Sequence, residues 1–79
     1  MKTEDRNAAY QERLGKRLRE LRTAAGKTLA DVAFEIGVTF SQVSRYELGQ
    51  APIPPAYLAR LATLYGVSMA KIFMGVSAP

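Results

Sequence analysis

The sequence predicts an all-α domain of five helices, and three observations carry that expectation. Apolar residues recur at three- and four-residue spacing through most of the chain. No run alternates apolar with polar residues as a half-buried strand would. Glycines and prolines punctuate the pattern at short intervals. With 79 residues and no internal repeat, the chain reads as one domain, 1–79, whose small core leaves dimerisation as a useful supplement.

The first helix is expected over about 5–25, with Thr3 or Asn7 as its cap. Tyr10, Leu14, Leu18, Leu21 and Ala25 make one apolar face, and Arg13, Lys16, Arg17, Arg19 and Arg22 fill most of the rest. Gly15 inside this helix costs about 1 kcal/mol against alanine, a cost that a close approach by another helix would justify. Gly26 ends the helix.

A second helix follows Thr28, an N-cap residue, and carries Leu29, Val32, Ala33 and Ile36 on one face up to Gly37. A third begins near Thr39, reaches about Leu48 and is closed by Gly49. Pro52, Pro54 and Pro55 mark a loop, with Pro55 suited to a first helical turn. A fourth helix over about 55–65 buries Tyr57, Leu58, Leu61, Ala62 and either Leu64 or Tyr65, and stops at Gly66. Ser68 caps a short fifth helix bearing Met69, Ile72 and Phe73, and residues 75–79 read as a frayed tail. The Met1 start and this short tail favour a complete chain.

Composition narrows the function classes. The chain has no cysteine and no histidine, which removes a thiol nucleophile, a histidine-centred triad and the usual soft metal sites. There is no phosphate-binding glycine loop and no pair of carboxylates with a plausible partner, so no enzyme, metal, cofactor or small-molecule ligand is expected. The N-terminus is charged and lacks an apolar signal region. Arg60, Gly66 and Lys71 break the most apolar stretch, so no membrane partner is expected either. The net charge of +4 and pI near 9.8 favour a polyanionic partner. The charge is unevenly spread: seven basic against four acidic residues over 1–25, two against three over 26–50, and two against none over 51–79.

Residues 29–47 form the most specific pattern, two short helices joined by a tight turn. Ala33 is small where the helices cross, Gly37 supplies the positive φ of the turn, and Val38 fills the angle between them. Val32 and Ile36 on one helix, and Val43 and Tyr46 on the other, point at a shared core. With Val43 inward at 100° per residue, Ser41, Ser44, Arg45 and Leu48 point outward.

On these residues the chain resembles the Cro/C1-type, or Xre, helix-turn-helix family over about 14–73. The resemblance rests on Leu18 to Arg22, Gly26, Val32-Ala33, Gly37-Val38-Thr39, Val43 to Glu47 with Gly49, Leu61-Ala62, and Gly66-Val67-Ser68. It implies a five-helix lambda-repressor-like fold and a homodimer on a palindromic double-stranded DNA operator. It also implies a sequence-specific transcriptional regulator, a repressor, in a bacterial or phage-encoded cytoplasmic setting. The absence of cysteine fits such a reducing compartment.

The family's base-reading positions fall on Thr39, Phe40, Ser41, Ser44 and Arg45. Arg45 could pair with guanine or hold a phosphate; Phe40 could touch a thymine methyl or pack on the core. Phosphate contacts are implied at the N–H groups of Leu29 and Ala30, with Thr28, Gln50 and, on the first helix, Arg17 and Arg22. Leu29 stands where the family often has glutamine, and the loop 50–55 is uncharged where the family often carries basic residues. Arg22 and Glu47 match a structural ion pair that braces the first helix against the third. Ile72, Phe73, Met74 and Val76 match a dimer seam, with simple core closure as the other reading. A protein-interaction module, antitoxin-like or coactivator-like, is the alternative function on the same fold.

Overall fold

A computed structural model describes residues 3–76, with side chains from Asn7 onward. Five α-helices and no strand lie among the described residues: α1 (Thr3–Ala24), α2 (Leu29–Ile36), α3 (Phe40–Glu47), α4 (Pro55–Tyr65) and α5 (Met69–Phe73). The 22 residues of α1 make a rod of about 33 Å, close to the 37 Å long axis of the molecule. The other helices wrap one side of it: α1 touches α3 and α5, α2 bridges α3 and α4, and α4 meets α5.

The core follows the periodicity. Leu14, Leu18 and Leu21 of α1 meet Val32, Ala33 and Ile36 of α2, Val43 of α3, Leu58, Leu61, Ala62 and Tyr65 of α4, and Ile72 of α5. Tyr46 is also buried, and Val38 packs half-buried against the cluster, as the turn between α2 and α3 requires.

Several local expectations need correction. The α1 helix already includes Thr3, the first described residue, so Asn7 lies within it and caps nothing; no glycine or proline interrupts residues 3–14. Ala25 is exposed, lying past the last helical turn. Tyr57 is half-buried, and its ring lies 5.7 Å from the Arg60 guanidinium one turn on. On α5 only Ile72 turns inward, leaving Met69 and Phe73 at the surface, because five residues offer a single inward position. Of the expected frayed tail, residues 77–79 lie outside the described residues.

The turn at 37–39 is built as its residues require. Gly37 has φ +74°, a left-handed conformation that side chains rarely tolerate, and Val38 N–H donates to Ala33 O at 3.1 Å to close the end of α2. Thr39 then caps α3, its hydroxyl accepting from Gln42 N–H at 3.1 Å. No helix among the described residues is long and apolar enough to cross a membrane.

Candidate nucleic-acid interface

The placement of α3 is set by what lies behind it. Gly15 of α1 faces the C-terminal end of α3 so closely that a Cβ there would sit 2.5 Å from Tyr46 O and would also collide with Glu47 O. Gly49 repeats the device two residues beyond α3: a Cβ would lie 2.6 Å from the Glu12 Cα of α1, and φ is +73°. Sequence reasoning gave Gly49 only a helix-closing role. Its second role, backbone contact with α1, is visible only in three dimensions.

An ion pair fixes the same junction. Arg22 donates from Nε to Glu47 Oε2 at 2.7 Å and from Nη2 to Oε1 at 3.1 Å, a bidentate pair largely shielded from solvent. Its remaining nitrogen, Nη1, donates to Lys27 O at 2.9 Å, so one guanidinium ties α1, the α1–α2 loop and α3. The hydrogen bonds it donates to Glu47 hold Arg22 even more firmly protonated than usual, against the opposing effect of burial. Nearby, burial and then the Glu47 charge push the Tyr65 phenol well above its ordinary range.

With its inner face so held, α3 turns Thr39, Phe40, Ser41 and Arg45 outward, and Ser44 lies half-buried at the edge of that surface. Phe40 is 56% exposed, so its ring is not part of the core. Leu48 caps the C-terminal end of α3 and is also exposed. The five expected base-reading positions thus share the leading end and outer side of one helix.

The phosphate positions are less uniform. Thr28 caps α2 in a reciprocal box: its hydroxyl accepts from Asp31 N–H at 3.0 Å, and the Asp31 carboxylate accepts from Thr28 N–H at 2.9 Å. These bonds draw the Asp31 carboxyl below its ordinary range. They leave the N–H groups of Leu29 and Ala30 as the donors of the first turn without an acceptor among the described residues. Gln50 is exposed just past α3.

Arg17 is not brought to this surface. It lies about 200° around α1 from Gly15, and its Nη2 donates to Lys71 O of α5 at 2.9 Å, while its Nε is buried without a partner. Of the residues expected at a dimer seam, Ile72 is 0% exposed and closes the core of its own chain, so it offers no surface to a second copy. Val76 packs half-buried against the same core, whereas Phe73 and Met74 stand exposed.

Two exposed features escaped the sequence reading. Phe34, on the outer side of α2, is 85% exposed. Arg60 of α4 donates to Ile36 O, the last carbonyl of α2, at 3.3 Å. A helical wheel anchored on Val32, Ala33 and Ile36 places Phe34 outside, whereas no spacing marks the Arg60 contact.

Comparison with known proteins agrees with this architecture. A family model described as a helix-turn-helix domain matches residues 13–72. Among curated proteins, no sequence matches the chain. The crystal structure of the restriction-modification controller protein C.AhdI from Aeromonas hydrophila is similar, with a TM-score of 0.75 and 35% identity, covering 80% of this chain and 96% of that one. An HTH_3 family transcriptional regulator from Vibrio cholerae shares the fold at a TM-score of 0.75 and 22% identity, covering 86% of this chain and 38% of its own. By the match over residues 13–72, and by the turn and crossing that Ala33, Gly37 and Val43 build, this chain belongs to the helix-turn-helix domain family, in its Cro/C1-like five-helix form.

Proposed function

We propose that the chain is a transcriptional regulator that binds double-stranded DNA sequence-specifically, laying α3 in the major groove. One observation carries the reading: Thr39, Phe40, Ser41, Ser44 and Arg45 share the open side of a helix whose other side is pinned to α1. Arg45 would read guanine through its paired donors, the two serines would donate or accept, and Phe40 would lie against a thymine methyl. The N–H groups of Leu29 and Ala30, with the Thr28 hydroxyl and Gln50, would hold backbone phosphates and fix the register. The likeness to a restriction-modification controller protein supports a regulatory role, here read as repression in a bacterial or phage-encoded cytoplasmic setting.

A homodimer on a palindromic operator completes the reading. Met69, Phe73 and Met74 leave an apolar surface at α5 and its C-cap, whose cover by a second copy would compensate for a small core. The test uses a duplex recovered by selection from random sequence. Arg45→Ala is expected to erase discrimination between that duplex and a scrambled one while leaving the thermal midpoint in place. A protein-interaction module is the second reading, favoured by the exposed Phe34 on α2. It prevails if binding is equally weak to every duplex and Arg45→Ala changes nothing.

A further inference from the structure

A groove of about 470 Å³ runs between α1, the start of α2 and the outer side of α3. Lys16 and Arg19 form its α1 wall, facing Leu29 across the start of α2, with Ser44 and Leu48 of α3 along its edge. The geometry follows from Gly15. Once Gly15 faces α3, Arg19 one turn later comes to the same side of α1, Lys16 stands between that side and the side of Arg17 and borders both, and Arg17 goes to the other.

The charges around this groove leave a specific deficit. Arg22 lines it too, but its charge is matched by Glu47. Arg17 is engaged with the Lys71 carbonyl. The loop 50–55 carries no charge. Asp31 adds a negative charge beside the two open N–H groups at the start of α2, offsetting the positive end of that helix. Glu12, the groove's remaining carboxylate, stands beside Gly49, one turn before Lys16 and seven residues, or about 10 Å, along α1 from Arg19. Lys27, just before α2, lies close enough to Asp31 to act on its carboxyl, and the groove-lining cations outside an ion pair among the described residues are Lys16 and Arg19.

We infer that Lys16 and Arg19 grip the DNA backbone on the α1 side of α3, supplying the cationic phosphate contacts that the loop after α3 lacks. The inference rests on the DNA-binding reading and deepens it. Ser44 borders the groove, so a duplex lying along the outer side of α3 brings one strand's phosphates over this wall. Both side chains are exposed and neither enters an ion pair among the described residues, so they can reach a phosphate without breaking a contact that holds the fold.

The test is the salt dependence of binding by the full chain, read on the selected duplex and on a scrambled duplex of equal length. The Lys16→Gln/Arg19→Gln variant is expected to lower the slope of log K against log salt by about 1.8, two phosphate contacts. That is roughly 60-fold in affinity at 0.1 M salt if the proteins converge at 1 M. The loss should be equal on both duplexes, because phosphate contacts carry no sequence information. Arg17→Gln should leave the slope unchanged. An unchanged slope in the double variant, or a slope lost in Arg17→Gln instead, overturns the inference. If wild type prefers no duplex, the sequence-specific reading falls, but the scrambled duplex still reports whether Lys16 and Arg19 hold phosphates.

Discussion

The two interfaces that α1 makes differ in kind. Against α3 it presents Gly15 and the backbone at Glu12, so main chain meets main chain, and a bidentate ion pair locks the far end. Against α5 it presents Arg17, which makes a single hydrogen bond to a carbonyl and buries an unpartnered Nε. One contact fixes the direction of a helix to within an atom's width. The other closes the core through Ile72 and leaves Phe73 and Met74 open. On the proposed function, α3 would arrive at DNA already oriented, whereas the open surface at α5 would be finished only by a second copy.

Substitutions separate the two interfaces by size of effect. Glu47→Ala is expected to be the most damaging, because it strands the partly buried Arg22 charge, which keeps only its bond to Lys27 O; urea unfolding should show a loss of about 2 to 3 kcal/mol. Gly15→Ala should follow at about 2 kcal/mol, a fall of about 10 °C in thermal midpoint. Alanine at an open helical site would instead raise stability by about 1 kcal/mol, so the sign alone reports the close approach. At the other interface, Arg17→Met gives up one hydrogen bond and also the buried orphan nitrogen, so unfolding should move by less than about 1 kcal/mol. A large loss there would erase the contrast.

The smallest effect is confined to alkaline solution. Tyr65 holds its proton in the folded state beyond the pH at which an unfolded tyrosine, with a pKa of about 10, releases it. Its contribution is therefore complete below about pH 10 and declines as pH rises further. Tyr65→Phe should flatten the alkaline limb of the stability profile and leave the neutral region alone.

Much of this was legible in the sequence, and the pattern of success is physical. Ala33, Gly37 and Val43 are constrained by sterics that admit few residue types, so their spacing announces the turn and crossing. Gly15 was legible as a cost in need of a reason. Arg22 and Glu47 were placed by resemblance, since no local rule pairs residues 25 positions apart. Surface cations were the weak point. Arg17, Lys16 and Arg19 are alike in sequence, and only the rotation of α1 decides which meets α5 and which faces α3. Gly15 contained that rotation, because a glycine admitted for close approach marks the face on which its neighbours at three and four residues must lie. Gly49 hid its second role because ending a helix is sufficient reason for a glycine.

Whether α3 reads duplex sequence is decided by selection of the full chain against a random duplex library. Enrichment of one motif is expected, with two-fold symmetric halves about 34 Å apart if two copies bind together. Guanine should recur at the position whose preference disappears with Arg45→Ala. A library that emerges unenriched, with retention uniform across sequences, would contradict sequence reading by α3.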